Sequence, residues 1–219
     1  YLLELGVPKD DVALWSGLVF GITFLIAGIM APIWGKIADN KGKKRMALRA
    51  GFAIAFCYVL IGMVTDQYQL LMGRALVGFA NGFYPAAMTM VSLSVDEKQV
   101  GRALGIFQTG LILGNVVGPF LGGAVESVVG MRPVFYISGI AVFIATLAVL
   151  FLVKEPKLNV ENIASNEQSS KLVKSTSLRE DFKVVQEQPV LVRLLWIFFF
   201  MQCVIMMLQP ILALYVGDM

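Results

Sequence analysis

Charged side chains are confined to a few short stretches of this chain, and the apolar runs between them repeat at a similar length. None occurs between Asp11 and Lys36, Arg49 and Asp66, Arg102 and Glu126, Arg132 and Lys154, or Arg193 and Asp218, and the interval from Asp66 to Asp96 holds only Arg74. A helix needs about 20 mainly apolar residues to cross the hydrocarbon of a bilayer, so each interval accommodates one span. The pattern predicts six, over about 12–34, 47–65, 68–93, 102–124, 133–153 and 192–216. The expected fold class is all-α, a polytopic transmembrane helical bundle, with the lipid bilayer as its solvent.

Composition agrees: 58% hydrophobic residues, 15% charged and a mean hydropathy of +0.76 lie outside the range of soluble domains. Basic residues near span ends favour the cytoplasm. The stretch "GKIADNKGKKRMALR" and the segment from Lys154 to Arg193 are rich in them, which places both inside and, by alternation, "TDQYQ" and "ESVVGMR" outside. The net charge of +3 follows from this topology, because the bases sit at helix ends and not on one soluble face, and no nucleic-acid partner is indicated.

The opening "YLLELGVPKDD" has no initiator Met, basic n-region or cleavage site and does not read as a signal peptide. Residues 1–11 are expected to be the end of a first helix that precedes the chain, with its outer loop. Residues 12–153 are then a five-helix remainder of an N-terminal bundle, 154–190 a cytoplasmic linker, and 191–219 the first helix of a C-terminal bundle. The linker is polar and Ser-rich in "NVENIASNEQSSKLVKSTSLREDF", and such a segment buries too little apolar surface to order itself strongly; one amphipathic helix is expected near "SLREDFKVVQEQ". Cys57 and Cys203 stand singly in predicted spans and there is no His. This suggests no disulfide framework, no Cys/His metal site and no cofactor, and it excludes a His-based triad. A membrane enzyme would need His, Cys or paired carboxylates at depth, which the spans do not supply.

Three constellations carry chemistry. In "GKIADNKGKKR", residues 35–45, Gly35 is expected to end a span, Asp39 follows one turn later, and Gly42 permits a tight turn. Asp39 and Lys43 could then face each other, with Lys44 and Arg45 at an interface. A basic anchor alone would account for the lysines but not for an acid and two glycines among them. The stretch resembles the loop between the second and third helices of the major facilitator superfamily, G-x-x-x-D-R-x-G-R-R. Gly35, Asp39, Gly42, Lys43 and Lys44 fit it, while Asn40 departs from it. The resemblance implies a cytoplasmic gating latch between the two halves of a transporter.

Arg74 is the second. An intramembrane charge is costly and usually faces the bundle interior, although Arg74 stands only about two turns from Asp66 and could snorkel outward. Arg74, Gly78 and Gly82 recur every four residues beside Asn81, which suggests a packed polar helix face. "LLMGRALVGFANG" is similar to the superfamily's fourth-helix motif, an Arg followed four residues on by Gly, though Val77 replaces a common Gln. In the drug/proton antiporter branch that Arg is linked to proton coupling, and the resemblance implies the same for Arg74.

The third is "GNVVGPFLGG". Gly110, Gly114, Gly118 and Gly122 make one stripe along a helix, the form in which transmembrane helices bring backbones together, and Pro119 is expected to bend that helix. Any closely packed pair would satisfy the stripe alone. However, Gly105, Gly114, Gly118, Pro119, Gly122 and Gly123 match G-x8-G-x3-G-P-x2-G-G, which resembles the fifth-helix antiporter motif of the same superfamily at every position, and "GMRPVFYI" is similar to the start of its sixth helix. The resemblance implies helices two to seven of a twelve-helix multidrug exporter in the cell membrane, with protons and a hydrophobic small molecule as substrates. Its alternating access would use the remaining helices of the parent chain. Asn81, Gln108, Asn115, Gln202 and Gln209 are the uncharged polar candidates for its path. A sugar or metabolite facilitator or symporter of the same superfamily is the alternative.

Overall fold

In a computed structural model of the chain, residues 1–153, 193, 196, 197 and 199–202 are described. The described residues are mostly helical, with no strand among them. Two units are distinguished, Tyr1–Pro156 and Lys157–Met219. The first contains α1 (Val12–Lys41), α2 (Lys43–Gly62), α3 (Gln67–Ala80), α4 (Phe83–Leu93), α5 (Val100–Val129) and α6 (Met131–Leu152). Short 3-10 turns at Lys9–Asp11 and Glu97–Gln99 precede α1 and α5. Taking α3 and α4 as one crossing, five segments among the described residues are long and apolar enough to span a membrane. In the second unit Arg193, Trp196, Ile197 and Phe199–Gln202 are helical, and the rings of Trp196 and Phe199 meet edge to face at 5.9 Å. The expected linker, its amphipathic helix, Cys203 and Gln209 lie outside the described residues.

The helices outrun the apolar intervals. At 1.5 Å per residue a 30-residue helix such as α1 reaches about 45 Å, against roughly 30 Å of hydrocarbon. Charge-free stretches therefore mark the lipid layer and not the helix ends, and residues 35–45 are not a loop, contrary to expectation. α1 continues through Gly35 and Asp39 to Lys41, and Gly42 alone separates it from α2. Gly42 has φ 96°, a conformation a side chain disfavours. Its N–H closes α1 on the Ala38 carbonyl at 3.1 Å, while its own carbonyl accepts from Met46 in the first turn of α2 at 3.3 Å. The turn between α5 and α6 is likewise a single residue, Gly130.

The closest packing lies between α2 and α6. A β-carbon on Gly51 would stand 2.3 Å from Thr146 Oγ1, one on Gly62 2.9 Å from the Tyr136 ring, and one on Gly139 3.1 Å from the Ala55 carbonyl oxygen. In lipid, where apolar contact between helices gains little over contact with acyl chains, such close approach is what holds helices together. The ends are tied by charge. Lys44 Nζ donates to the Leu150 carbonyl at 2.8 Å near the end of α6, and Arg132 Nη2 donates to Val64 O at 3.4 Å just beyond α2. Cations at helix C-termini complement both the unpaired carbonyls and the helix dipole. At the Arg132 end, Leu5, Val19, Cys57, Ile61, Val64, Leu70 and Val77 form a buried cluster. Cys57 serves there as a small apolar residue.

Candidate functional site

The stretch predicted as one span over 68–93 is two helices. α3 stops at Ala80 and α4 begins at Phe83, so the expected stripe of Arg74, Gly78 and Gly82 with Asn81 is interrupted. The cause is local. Gly82 takes φ 151° and ψ −3°, and its N–H is held by Asn81 Oδ1 at 2.8 Å. Pro85 is the third residue of α4, where a missing N–H leaves no helical bond unmade; in an unbroken helix its ring would clash with the Asn81 carbonyl.

Breaking a helix at membrane depth frees carbonyls, each of which costs several kcal/mol if left unpaired in hydrocarbon. Asn81 N–H returns to Val77 O at 3.0 Å and to Gly78 O at 3.3 Å. The two carbonyls that follow are met from neighbouring helices. Trp34 Nε1 on α1 donates to Phe79 O at 2.8 Å, and Arg49 Nη2 on α2 donates to Ala80 O at 3.4 Å. The Arg49 guanidinium also lies over the Trp34 ring, 3.5 Å from its centroid, a cation–π contact worth about 0.5–2 kcal/mol according to its exposure. Sequence reasoning missed both residues. The available signals were the Asn-Gly pair with a proline three residues on, and a base more than one turn inside a helix start.

A cavity of about 530 Å3 runs along this junction, between α1 from Phe24 to Asp39, the start of α2, the break at Asn81 and Gly82, and α4 from Tyr84 to Thr89. Ala27, Gly28, Ala31, Gly35 and Ala38 give its α1 wall, so Gly35 lies within a helix along the cavity and is not a span end. Asn81 and Tyr84 supply polar atoms at the break. Tyr84 is fixed from α5: Gln108 Nε2 donates to its hydroxyl at 2.6 Å, and Phe107 stacks on its ring at 5.8 Å. At the other end of the cavity stands the ion pair of Lys43 with Asp39. Lys44 does not join it, since it reaches Leu150.

The remaining candidates are dispersed. Arg74 is half-buried on α3 and its Nε is buried without a hydrogen-bond partner among the described residues. Its carbonyl accepts from Thr23 Oγ1 at 3.3 Å. α5 runs unbroken through Pro119, and a β-carbon on Gly105, Gly110, Gly114, Gly118, Gly122 or Gly123 would meet nothing within 4 Å among the described residues. The stripe thus presents an open face, and the glycines packed within this bundle are Gly51, Gly62, Gly73, Gly78 and Gly139. Asn115 and Gln202 are exposed. Among the described residues no group of three or more His, Cys, Asp or Glu side chains is placed to hold a metal ion.

The family model for the Major Facilitator Superfamily matches residues 2–219. The chain belongs to that superfamily. It is 35% identical over its whole length to the multidrug resistance protein MdtG of Proteus mirabilis, covering 52% of that protein. Against the MdtG of Klebsiella pneumoniae it is 36% identical over its whole length, covering 51%. The MdtG of Dickeya zeae is 40% identical over 71% of the chain and 38% of its own length. The chain thus spans about half the length of the relatives it matches along its whole length. The bundle is a partial major facilitator fold in a multi-pass membrane protein, and its superfamily is one of transporters.

Proposed function

We propose that this chain forms the first-half helices and the start of the second half of an exporter that moves hydrophobic drug-like molecules across the cell membrane in exchange for protons. Alternating access would come from rocking of this bundle against further helices of the parent chain. One observation carries the reading: the cavity between α1, α2 and α4 reaches from a helix break to the Asp39–Lys43 end, with aromatic and small apolar walls and few polar groups. Such a lining suits an amphipathic solute better than a sugar, which needs many directed hydrogen bonds. Family membership and the printed names of the relatives support it.

In this reading Asn81 and Tyr84 contact the solute, with Gln108 fixing Tyr84, and Asn115, Gln202 and Gln209 would be the further polar candidates for its path. Arg74 would couple protons, because a half-buried guanidinium whose Nε has no hydrogen-bond partner among the described residues offers a fixed positive field to which a titrating carboxylate elsewhere in the transporter could respond. Asp39 and Lys43 would latch the cytoplasmic end. The open glycine face of α5 would be the surface on which a helix of the other half slides. The test is drug efflux by the full-length transporter in proteoliposomes with an imposed proton gradient, comparing wild type with Tyr84→Ala. Efflux that depends on the gradient and is weakened by Tyr84→Ala supports the reading; gradient-driven uptake of sugars without drug efflux overturns it.

A further inference from the structure

We infer that Arg49 and Trp34 are positioning residues: together they hold the α3–α4 break in the form that turns the Asn81–Thr89 segment toward the cavity. The inference deepens the reading of that cavity as the solute path and rests on it for its transport consequence, but its structural content stands separately. Two hydrogen bonds and two close approaches from two other helices converge on one interruption, and the two residues that make them also contact each other. Trp34 Nε1 takes the Phe79 carbonyl, Arg49 Nη2 takes the Ala80 carbonyl, the guanidinium lies over the Trp34 ring, and Gly82 has Arg49 Nη2 and Trp34 Cβ as the nearest atoms to its missing β-carbon, each at 3.7 Å. The break is therefore not simply a defect of a weak sequence; it is capped from outside.

The need for the cap follows from counting carbonyls. In a continuous helix the N–H groups of residues 83 and 84 would serve Phe79 and Ala80, and only the Asn81 carbonyl, opposite Pro85, would lack a donor. The broken form leaves Phe79 and Ala80 to outside donors in a setting where lipid supplies none. Trp34 and Arg49 are those donors, and Arg49 also brings a positive charge to the negative end of α3. Removing them tips the segment toward a straighter helix, which rotates α4 about its axis. The α4 residues lining the cavity, Tyr84, Pro85, Ala86 and Thr89, would turn with it. Neither Arg49 nor Trp34 needs to touch the solute for this to change binding.

The experiment uses the full-length transporter, freed of native cysteines and carrying Thr89→Cys, reconstituted in proteoliposomes. Thr89 lines the cavity and its hydroxyl serves only its own helix, donating to Pro85 O at 2.8 Å. Labelling by a membrane-impermeant maleimide from the Lys43 side is compared in the parent, Arg49→Gln, Arg49→Lys and Trp34→Phe. Arg49→Gln should slow labelling about tenfold, the scale set by losing a partly buried cation at a helix C-terminus. Arg49→Lys should restore part of the rate, because it keeps the charge and loses the planar fork. Trp34→Phe, which removes one N–H and keeps a ring, should act in the same direction and serves if Arg49→Gln fails to insert. In the same vesicles Arg49→Gln should raise the KM for ethidium efflux and leave kcat within a few-fold. Unchanged labelling in inserted Arg49→Gln and Trp34→Phe overturns the inference. Slowed labelling in a transporter that exports no ethidium supports the clasp and counts against the drug-export reading instead.

Discussion

Thr23 and Gly78 meet where no β-carbon would fit: one built on Gly78 would stand 2.4 Å from the Thr23 carbonyl oxygen and 3.2 Å from Ile26 Cβ. One turn earlier the Thr23 hydroxyl donates to Arg74 O, so α1 and α3 cross backbone to backbone at the residue that follows Arg74 by four. Gly78→Val should force the helices apart, at roughly 3 kcal/mol by the upper range for overpacking, and should displace Arg74 with them. Gly110→Ala, where nothing lies within 4 Å, should be neutral. Thermal stability of the two purified variants in detergent gives the comparison, and equal melting would mean that the crossing is looser than its distances say.

Topology follows from alternation and the bases. Gly42, Lys43 and Lys44 lie on the same side of the bundle as the Glu97–Gln99 turn, because α2, the α3–α4 pair and α5 alternate in direction. Cysteines placed at Lys98 and Gln67 should label from the cytoplasmic and the outer side respectively, in keeping with the positive-inside rule. The reverse pattern would invert every assignment of inside and outside made for this bundle.

Arg74→Ala should abolish proton-driven efflux without loss of insertion, since among the described residues its Nε makes no hydrogen bond that the fold would miss. Arg74→Lys should retain a fraction of the activity, because a compact ammonium keeps the charge and not the fork. Efflux and insertion are measured on the same vesicles. Normal efflux in Arg74→Ala would reduce the residue to a charge at the membrane edge.

The described spans were legible because a bilayer writes its thickness into the sequence as charge-free intervals, and Arg49–Asp66 or Arg132–Lys154 could hardly be read otherwise. What escaped was everything decided within an apolar stretch. Asn81 and Gly82 sit on a four-residue rhythm with Arg74 and Gly78, so periodicity read them as helix although Asn-Gly followed by Pro85 is a breaker. Arg49 borders a charge-free interval, yet its guanidinium lies over the Trp34 ring. Gly51, Gly62 and Gly139 carry the closest helix contact without forming a four-spaced stripe, because the residues that meet across α2 and α6 come from two helices and show no period in either alone. Conversely, the stripe on α5 is the clearest motif in the sequence, and a β-carbon on its glycines would meet nothing within 4 Å among the described residues.

That open stripe sets the last expectation. Gly114, Gly118 and Gly122 share one face of α5, and a β-carbon on any of them would meet nothing within 4 Å among the described residues. Gly118→Leu should therefore insert and melt like wild type, since an extra apolar side chain is harmless to a helix in lipid. If a helix of the other half packs on this face during the cycle, the same substitution should slow drug efflux or open a proton leak. Val116→Ala is the matched control, because two residues turn a helix by about 200° and Val116 is 67% exposed on the far side. Efflux and leak are read in proteoliposomes of the full-length transporter carrying each change. A deficit confined to Gly118→Leu would locate the moving contact on the glycine face, whereas equal, near-normal behaviour of both variants would mean that nothing slides there and that the motif serves some other purpose.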